Sequence, residues 1–293
     1  MLTLATSVLI VSYNTRDLLV ATLAALDREP DVEVVVVDNA SSDGSPDAVG
    51  DRFPRVRLIR SERNLGFAAG VNRAAREASG DVLLLLNPDA LLPPEGLRRL
   101  VDFLACHERA AAVGAALTYG DDRPQDSAFR FPGLAQLLLD LFPIRRLARS
   151  RHNGRVHTSD APVRVDHPLG ACMAIRRAAW VDVGPLDEGY FMYVEEVDWC
   201  RRARRRGWEV WHEPRAVAVH HGGMATRQRA DAMYVQLWRS RLRYYQRFHG
   251  PGYNRAVRAL VRLGMAAERR RAVRGGAAPG RLRAIAQVRR LSG

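Results

Sequence analysis

Lysine is absent from the 293 residues; all 45 basic side chains are arginine. Such uniformity reads as GC-rich coding rather than a demand for bidentate contacts, although guanidinium groups serve phosphates well. Cysteine is scarce and scattered at Cys106, Cys172 and Cys200, with no Cys-x-x-Cys pair. That argues against a disulfide framework and against a zinc site, and makes a reducing cytoplasm the default. Long apolar runs are missing too. Val82–Leu86 and Leu137–Leu139 fall far short of the ~18–20 residues that span a bilayer. No basic segment precedes the first apolar run, so no signal peptide is expected. A G-x-G-x-x-G turn is also lacking; SYNTRD stands after the first apolar run, which excludes a dinucleotide-binding dehydrogenase. No internal repeat is visible. The expected protein is cytoplasmic, either soluble or peripheral to a membrane.

The net charge of +13 is unevenly placed. Residues 239–293 carry +14, with Glu268 their only acid, whereas residues 1–238 sum to −1. The balanced part has no basic stripe or recognition motif, so nucleic acid is not an expected partner. Length favours one large domain with an extension, drawn as residues 1–228 and a helical basic segment 229–293.

Within the first hundred residues, strand-like and helix-like segments alternate. Leu4–Val11, Glu33–Asp38, Val56–Arg60 and Val82–Asn87 are short runs rich in Val, Leu and Ile, as buried parallel strands require. Asp17–Leu26, Pro46–Arg52, Phe67–Ser79 and Pro94–Cys106 read as helices between them. This rhythm predicts an α/β domain with a Rossmann-like, doubly wound and mostly parallel sheet. Residues 121–165 lack periodicity and read as an excursion over the active face, with one helical piece at Leu134–Leu141. Order returns at Val165–Ile175, followed by a helix at Glu196–Arg206 and strands at Glu209–His212 and Ala216–His220. A helix over Ala230–Phe248, a break at Gly250–Pro251–Gly252 and basic helical material complete the chain.

Ligands of such sheets bind beyond the carboxyl ends of the strands. VVVVDNASSDGS ends a strand on Asp38, which can accept a hydrogen bond from a base or a ribose hydroxyl, or simply cap its own turn. In LLLLNPDA, Pro88 stops the strand ladder and presents Asp89, a carboxylate suited to a divalent ion on a diphosphate. A helix cap is the alternative, though Asp89 lies early for one. YFMYVEEVDWC gathers Glu195, Glu196 and Asp198 beside aromatic residues. Acids in a first helical turn answer the helix dipole, but crowding and burial would also tune one of them as a general base. VHHGG ends a strand on His220 and His221, where imidazole can ligate Mn²⁺ or contact phosphate, or serve merely as a strand-end pair. His152, His157, His167 and His249 stand alone and read as ordinary.

Six segments in order, SVLIVSYN, VVVVDNASSDGS, NLGFAAGVN, LLLLNPDA, LDEGYFMYVEEVDWCRR and VHHGG, resemble the family-2 inverting glycosyltransferases of the GT-A fold. The resemblance spans Leu4 to Thr226. It implies that Asp38 reads the nucleotide base and that Asn64, Gly66 and Asn72 form a nucleotide-side loop. Ser12, Tyr13 and Asn87 join that nucleotide-sugar set. Asp89 resembles the metal-chelating aspartate, for Mg²⁺ or Mn²⁺, and His220 a histidine near metal and diphosphate. Glu196 matches the catalytic base. The commonest form of that motif is Glu-Asp, whereas this chain has Glu195–Glu196, which makes Asp198 a competitor for the role. Arg202 is expected either to orient the acids or to face the diphosphate.

The implied chemistry is a single in-line displacement with inversion. The NPD, FMY and HHGG segments look most like bacterial rhamnosyltransferases, which implies a dTDP-L-rhamnose donor and a polyprenyl-diphosphate-linked saccharide acceptor in cell-wall or surface polysaccharide synthesis. A UDP-sugar donor, or a non-catalytic nucleotide-sugar-binding protein, is the alternative. Sugar nucleotidyltransferases resemble one another in a glycine-rich loop with a catalytic lysine, which this chain lacks. In the tail, Val257, Leu260, Val261, Gly264 and Met265 line one helical face, and Arg255, Arg258, Arg262 and Arg269 lie largely elsewhere. A basic amphipathic helix of this kind suits an anionic membrane surface; a packed or solvated tail is the alternative.

Overall fold

Runs of valine and leucine build the centre of the first unit. In the computed structural model, which describes residues 4–143, 153–156, 159–223 and 228–293, strands β1 (Thr6–Ser12) and β4 (Val82–Leu86) are buried along their whole length. Both faces of such strands are covered, which is why they read as continuous apolar runs rather than alternating ones. Between them come α1 (Arg16–Leu26), β2 (Val32–Asp38), α2 (Ser45–Arg52), β3 (Arg57–Arg60) and α3 (Phe67–Glu77). Leu19, Leu23 and Leu26 on one face of α1 enter the core beneath the sheet. Then follow β5 (Ala90–Leu91), α4 (Pro94–Cys106), β6 (Ala110–Thr118), β7 (Pro124–Gln125), β8 (Ala128–Phe129), α5 (Leu134–Leu141), β9 (Val163–Arg164) and β10 (His167–Pro168). β11 (Cys172–Arg176), α6 (Arg177–Val183), α7 (Glu195–Arg205) and β12 (Glu209–His220) precede three helices: α8 (Ala230–Phe248), α9 (Pro251–Arg274) and α10 (Pro279–Leu291).

The main sheet runs β3-β2-β1-β4-β11-β6-β12-β5, with β7 on β6 and β9 on β12. β3, β2, β1 and β4 are parallel, as the alternation of strands and helices requires. β11 is antiparallel to both β4 and β6, and β12 is parallel to β6, so the sheet is mixed beyond β4. The two segments expected at 209–212 and 216–220 form one strand instead, β12. Its register shifts between Glu213 and Val217, at Pro214, whose missing N–H cannot continue the ladder.

The chain divides into two compact units. One takes residues 1–130, 156–191 and 195–225; the other takes 131–155, 192–194 and 226–293. The extension drawn at 229–293 falls in the second, which also gathers α5 and the three residues before α7. His152, His157 and part of the expected excursion lie outside the described residues. Within the second unit the tail differs from the expected membrane helix. Val257, Val261, Gly264 and Met265 are buried, and Gly264 lies so close to Leu141 that a Cβ would meet its Cδ2 at 2.5 Å. That apolar face is occupied by protein and offers nothing to lipid. Among the described residues no helix is long and apolar enough to cross a membrane.

Candidate active site

The register of the parallel strands sets Ser12 beside Asp38, and Asp38 beside Arg60, at their carboxyl ends. Asp38 is only 3% exposed. Its Oδ2 accepts the Ser41 N–H at 3.0 Å, which fulfils the turn-capping role. Oδ1 is buried without a partner. An unsatisfied buried acceptor is costly, so a donor that enters from outside would be favoured. The two adjoining loops are stitched together. The Asn14 N–H donates to Ser41 Oγ at 3.0 Å, and Asn14 Oδ1 accepts the Ser42 N–H at 2.8 Å. The Arg16 N–H donates to Asp43 at 2.9 Å. Burial would raise the Asp43 carboxyl, but donors from Ser45 and Arg16 outweigh it and hold the group below its usual range. The buried Ser12 hydroxyl turns to Thr15 Oγ1 at 3.0 Å, and Tyr13 is half-buried beside it.

Asn39 escaped the sequence reading. Its Nδ2 donates to the Gly66 carbonyl at 3.0 Å and its Oδ1 accepts the Leu65 N–H at 3.1 Å. The only local signal was an asparagine directly after the strand-end aspartate. Asn64 Oδ1 accepts the Gly66 N–H at 2.9 Å. Gly66 has φ +84°, and a Cβ there would lie 2.3 Å from the Phe191 carbonyl oxygen, so glycine is required by backbone approach. Asn72 donates to the Leu186 carbonyl and Glu188, and accepts the Leu186 N–H, each at 2.9 Å. Gly66 and Asn72, expected on the nucleotide side, thus both hold the segment that leads into α7.

At the mouth of β4, the Thr22 hydroxyl donates to the Pro88 carbonyl at 2.9 Å, and the Asn87 N–H to the Ala171 carbonyl at 2.9 Å. Asp89 and His220 are both buried, with Oδ1 and Nε2 3.4 Å apart. Gln125 Oε1 lies 2.9 Å from His220 Nδ1. A carbonyl oxygen can only accept, so Nδ1 donates to it, and Nε2 is the ring nitrogen that faces Asp89, with Asn87 Nδ2 at 3.3 Å. Gln125 is a second residue that sequence reasoning missed, since it reaches the site from 95 positions away. A carboxylate beside an imidazole nitrogen suits Mn²⁺ or Mg²⁺. Among the described residues no group of three or more His, Cys, Asp or Glu gathers as a metal cage. A two-donor site of this kind fits an ion that shares its shell with phosphate and water.

α7 begins after two left-handed residues, Tyr193 (φ +70°) and Val194 (φ +73°). For a β-branched residue this conformation is strained, and such strain gathers at functional sites. Glu195 is buried with Oε2 unpartnered. Burial, and then the charge of Glu196, push its carboxyl well above the usual range. Asp198 is 0% exposed. It pairs with Arg202 Nε at 2.7 Å and accepts the Tyr190 hydroxyl at 3.3 Å. Arg202 also donates to the Val183 and Pro185 carbonyls, both at 2.8 Å, so its guanidinium orients Asp198 and clamps that turn. Glu196 is also buried, and flanks Gly170, where a Cβ would lie 3.5 Å from its Cβ and Cγ. The next residue, Ala171, bonds Asn87, so Glu196 borders the mouth of β4. His167 is an ordinary core residue, stacked on Phe129, with burial lowering its pKa to about 4. His249 stacks on Tyr253 at 4.0 Å.

The family described as Glycosyl transferase family 2 matches residues 7–180. The chain is 32% identical over 237 residues to the N-acetylglucosaminyl-diphospho-decaprenol L-rhamnosyltransferase of Mycobacterium tuberculosis, covering 75% of this chain and 76% of that one. Rhamnosyltransferase WbbL of Escherichia coli K12 is 24% identical over 182 residues, covering 61% and 67%. Two solved structures share the fold. Mannosyltransferase PcManGT from Pyrobaculum calidifontis, in complex with GDP-Man and Mn²⁺, superposes with a TM-score of 0.60 at 18% identity, covering 94% of this chain and 77% of that one. GalNAc-T7 with UDP, GalNAc and Mn²⁺ gives 0.61 at 20% identity, covering 75% and 44%. The architecture is that of the GT-A glycosyltransferases.

Proposed function

The chain belongs to glycosyl transferase family 2, and from that premise we propose that it transfers L-rhamnose from dTDP-rhamnose, with inversion, to a hydroxyl of a polyprenyl-diphosphate-linked saccharide. Its place would be cytoplasmic, at the membrane face where cell-wall or surface polysaccharide is assembled. The observation that carries this proposal is the Asp89–His220 pair, 3.4 Å apart at the mouth of β4, which Glu196 borders through Gly170 and Ala171. The likeness to the mycobacterial rhamnosyltransferase supports the choice of sugar and acceptor.

Asp38 Oδ1 would accept the imide N–H of the base, a donor that thymine and uracil share, so this contact alone does not separate dTDP from UDP. Asp89 and His220 would hold Mg²⁺ or Mn²⁺. Bound there, the ion would offset charge on the departing diphosphate. Glu196 takes the proton of the acceptor hydroxyl as that oxygen attacks the anomeric carbon from the opposite face. Asp198 is enclosed and already ion-paired, so we assign it to positioning α7 together with Arg202 and Tyr190, not to proton transfer.

The test is a panel of nucleotide sugars with Mn²⁺, read by thermal unfolding and by product formation. A ligand at a hundred times its Kd adds about 2.7 kcal/mol of stability. We expect dTDP-rhamnose to give the largest shift and to be consumed with acceptor. A larger shift and faster turnover with a UDP-sugar would move the donor assignment. A shift without transfer would make the protein a binder. Mn²⁺ binding, followed by the electron paramagnetic resonance of the free ion, checks the metal pair independently. Asp89→Ala should abolish it. Gln125→Ala should weaken it by about 10–100-fold, because the imidazole loses the acceptor that orients it. Unchanged affinity in Gln125→Ala would remove Gln125 from the site.

A further inference from the structure

With its apolar face buried, α9 is left with its outer face. At 3.6 residues per turn, Arg255, Arg262, Arg269, Arg270 and Arg274 fall within an arc of about 140°, along about 28 Å of helix. All five are exposed, and none bonds an acid among the described residues. Other arginines of this segment are engaged: Arg258 donates to the Gly293 carbonyl, Arg271 to that of Leu141, and Arg281 pairs with Glu268. Glu268 lies on the opposite side of α9, so the arginine face carries no acid. Two large apolar side chains stand out on the same face, Leu263 at 62% and Val273 at 54% exposure.

We infer that this outer face of α9 is a docking surface for an anionic phospholipid bilayer. The inference rests on the proposed use of a lipid-linked acceptor, but on different residues. A row of unneutralised guanidinium groups complements a plane of phosphates. Leu263 and Val273 can enter the headgroup boundary while the arginine stems lie along it. A nucleic acid would use the charges but leave both apolar side chains in water, and this face offers no aromatic ring on which bases could stack.

The full-length protein is sedimented with vesicles of phosphatidylcholine alone and of phosphatidylcholine with 30% phosphatidylglycerol. Binding to the anionic vesicles only is expected. Each arginine near such a surface is worth about a fivefold increment in partitioning. Replacing all five with glutamine should therefore reduce binding by more than about a hundredfold. Leu263→Gln with Val273→Gln should weaken it less, yet measurably. Circular dichroism checks that each variant stays folded; these side chains are exposed, so folding should be retained. Equal binding to both vesicle types, or anionic binding unaffected by the five substitutions, overturns the inference. So does tighter binding to single- or double-stranded nucleic acid that ignores Leu263 and Val273. Transfer from dTDP-rhamnose to a short, water-soluble acceptor is assayed in parallel and should survive the substitutions. Vesicle binding without transfer would remove the proposed reaction and leave this surface; transfer without vesicle binding would do the reverse.

Discussion

Glu196→Gln should lower kcat by about 10²–10⁴-fold, the usual contribution of a positioned general base. Glutamine keeps the shape beside Gly170 but cannot take a proton. Asp38, Asp89 and His220 are untouched, so affinity for the nucleotide sugar should stay within a few-fold. The informative control is the adjacent carboxyl. Burial and the charge of Glu196 already push Glu195 toward its neutral form. Glu195→Gln makes that form permanent and should leave kcat within a few-fold. It should also change the pH dependence of stability. A carboxyl whose pKa is higher folded than unfolded binds more protons in the native state. Its effect on stability is therefore most favourable below the ordinary value of about 4.5 and declines as pH rises through the window above it. Denaturant unfolding between pH 4 and pH 8 should thus show a shallower decline in Glu195→Gln than in the parent. If Glu195→Gln were the inactive enzyme and Glu196→Gln the active one, the base would move by one residue.

Why the acids of α7 stand out in the sequence, while some of the contacts around the site do not, follows from the range of the interactions. β1, β2 and β4 were legible because strands covered on both faces must be apolar throughout, and Asp38 and Asp89 were legible because they end those runs. The mixed part of the sheet was not. Nothing local to Cys172–Arg176 says that it runs against both neighbours. Asn39 and Gln125 were missed for a related reason: they act on Gly66 and His220, 27 and 95 positions away. Asn72 and Gly66 belong to a legible motif, yet nothing local to it shows that they bind the 186–191 segment. In the tail, the 3.6-residue period marked the apolar face of α9 correctly. Periodicity says that a face is buried without saying by what, and here α5 supplies Leu141 against Gly264.

Arg202 is the residue whose loss should most weaken the fold around the site. Asp198 is fully enclosed, and Arg202 supplies its ion-pair partner at 2.7 Å. Arg202→Met removes the compensating charge and frees the Val183 and Pro185 carbonyls together. Breaking a buried pair on one side costs about 3–5 kcal/mol, a large part of the 5–15 kcal/mol that holds a typical domain together. Urea unfolding should show the midpoint falling with little change in slope. Arg202→Lys should recover only part, since one ammonium cannot reproduce the guanidinium fork that reaches Asp198 and two carbonyls at once. Asp198→Leu combined with Arg202→Met should be more stable than Arg202→Met alone, because no charge is then left buried without its partner. Where the variants stay folded, kcat should fall while the affinity for donor persists, as α7 carries Glu196 and Arg202 anchors α7 to the 183–185 turn. A variant as stable as the parent that has lost nucleotide affinity would instead assign Arg202 to the diphosphate.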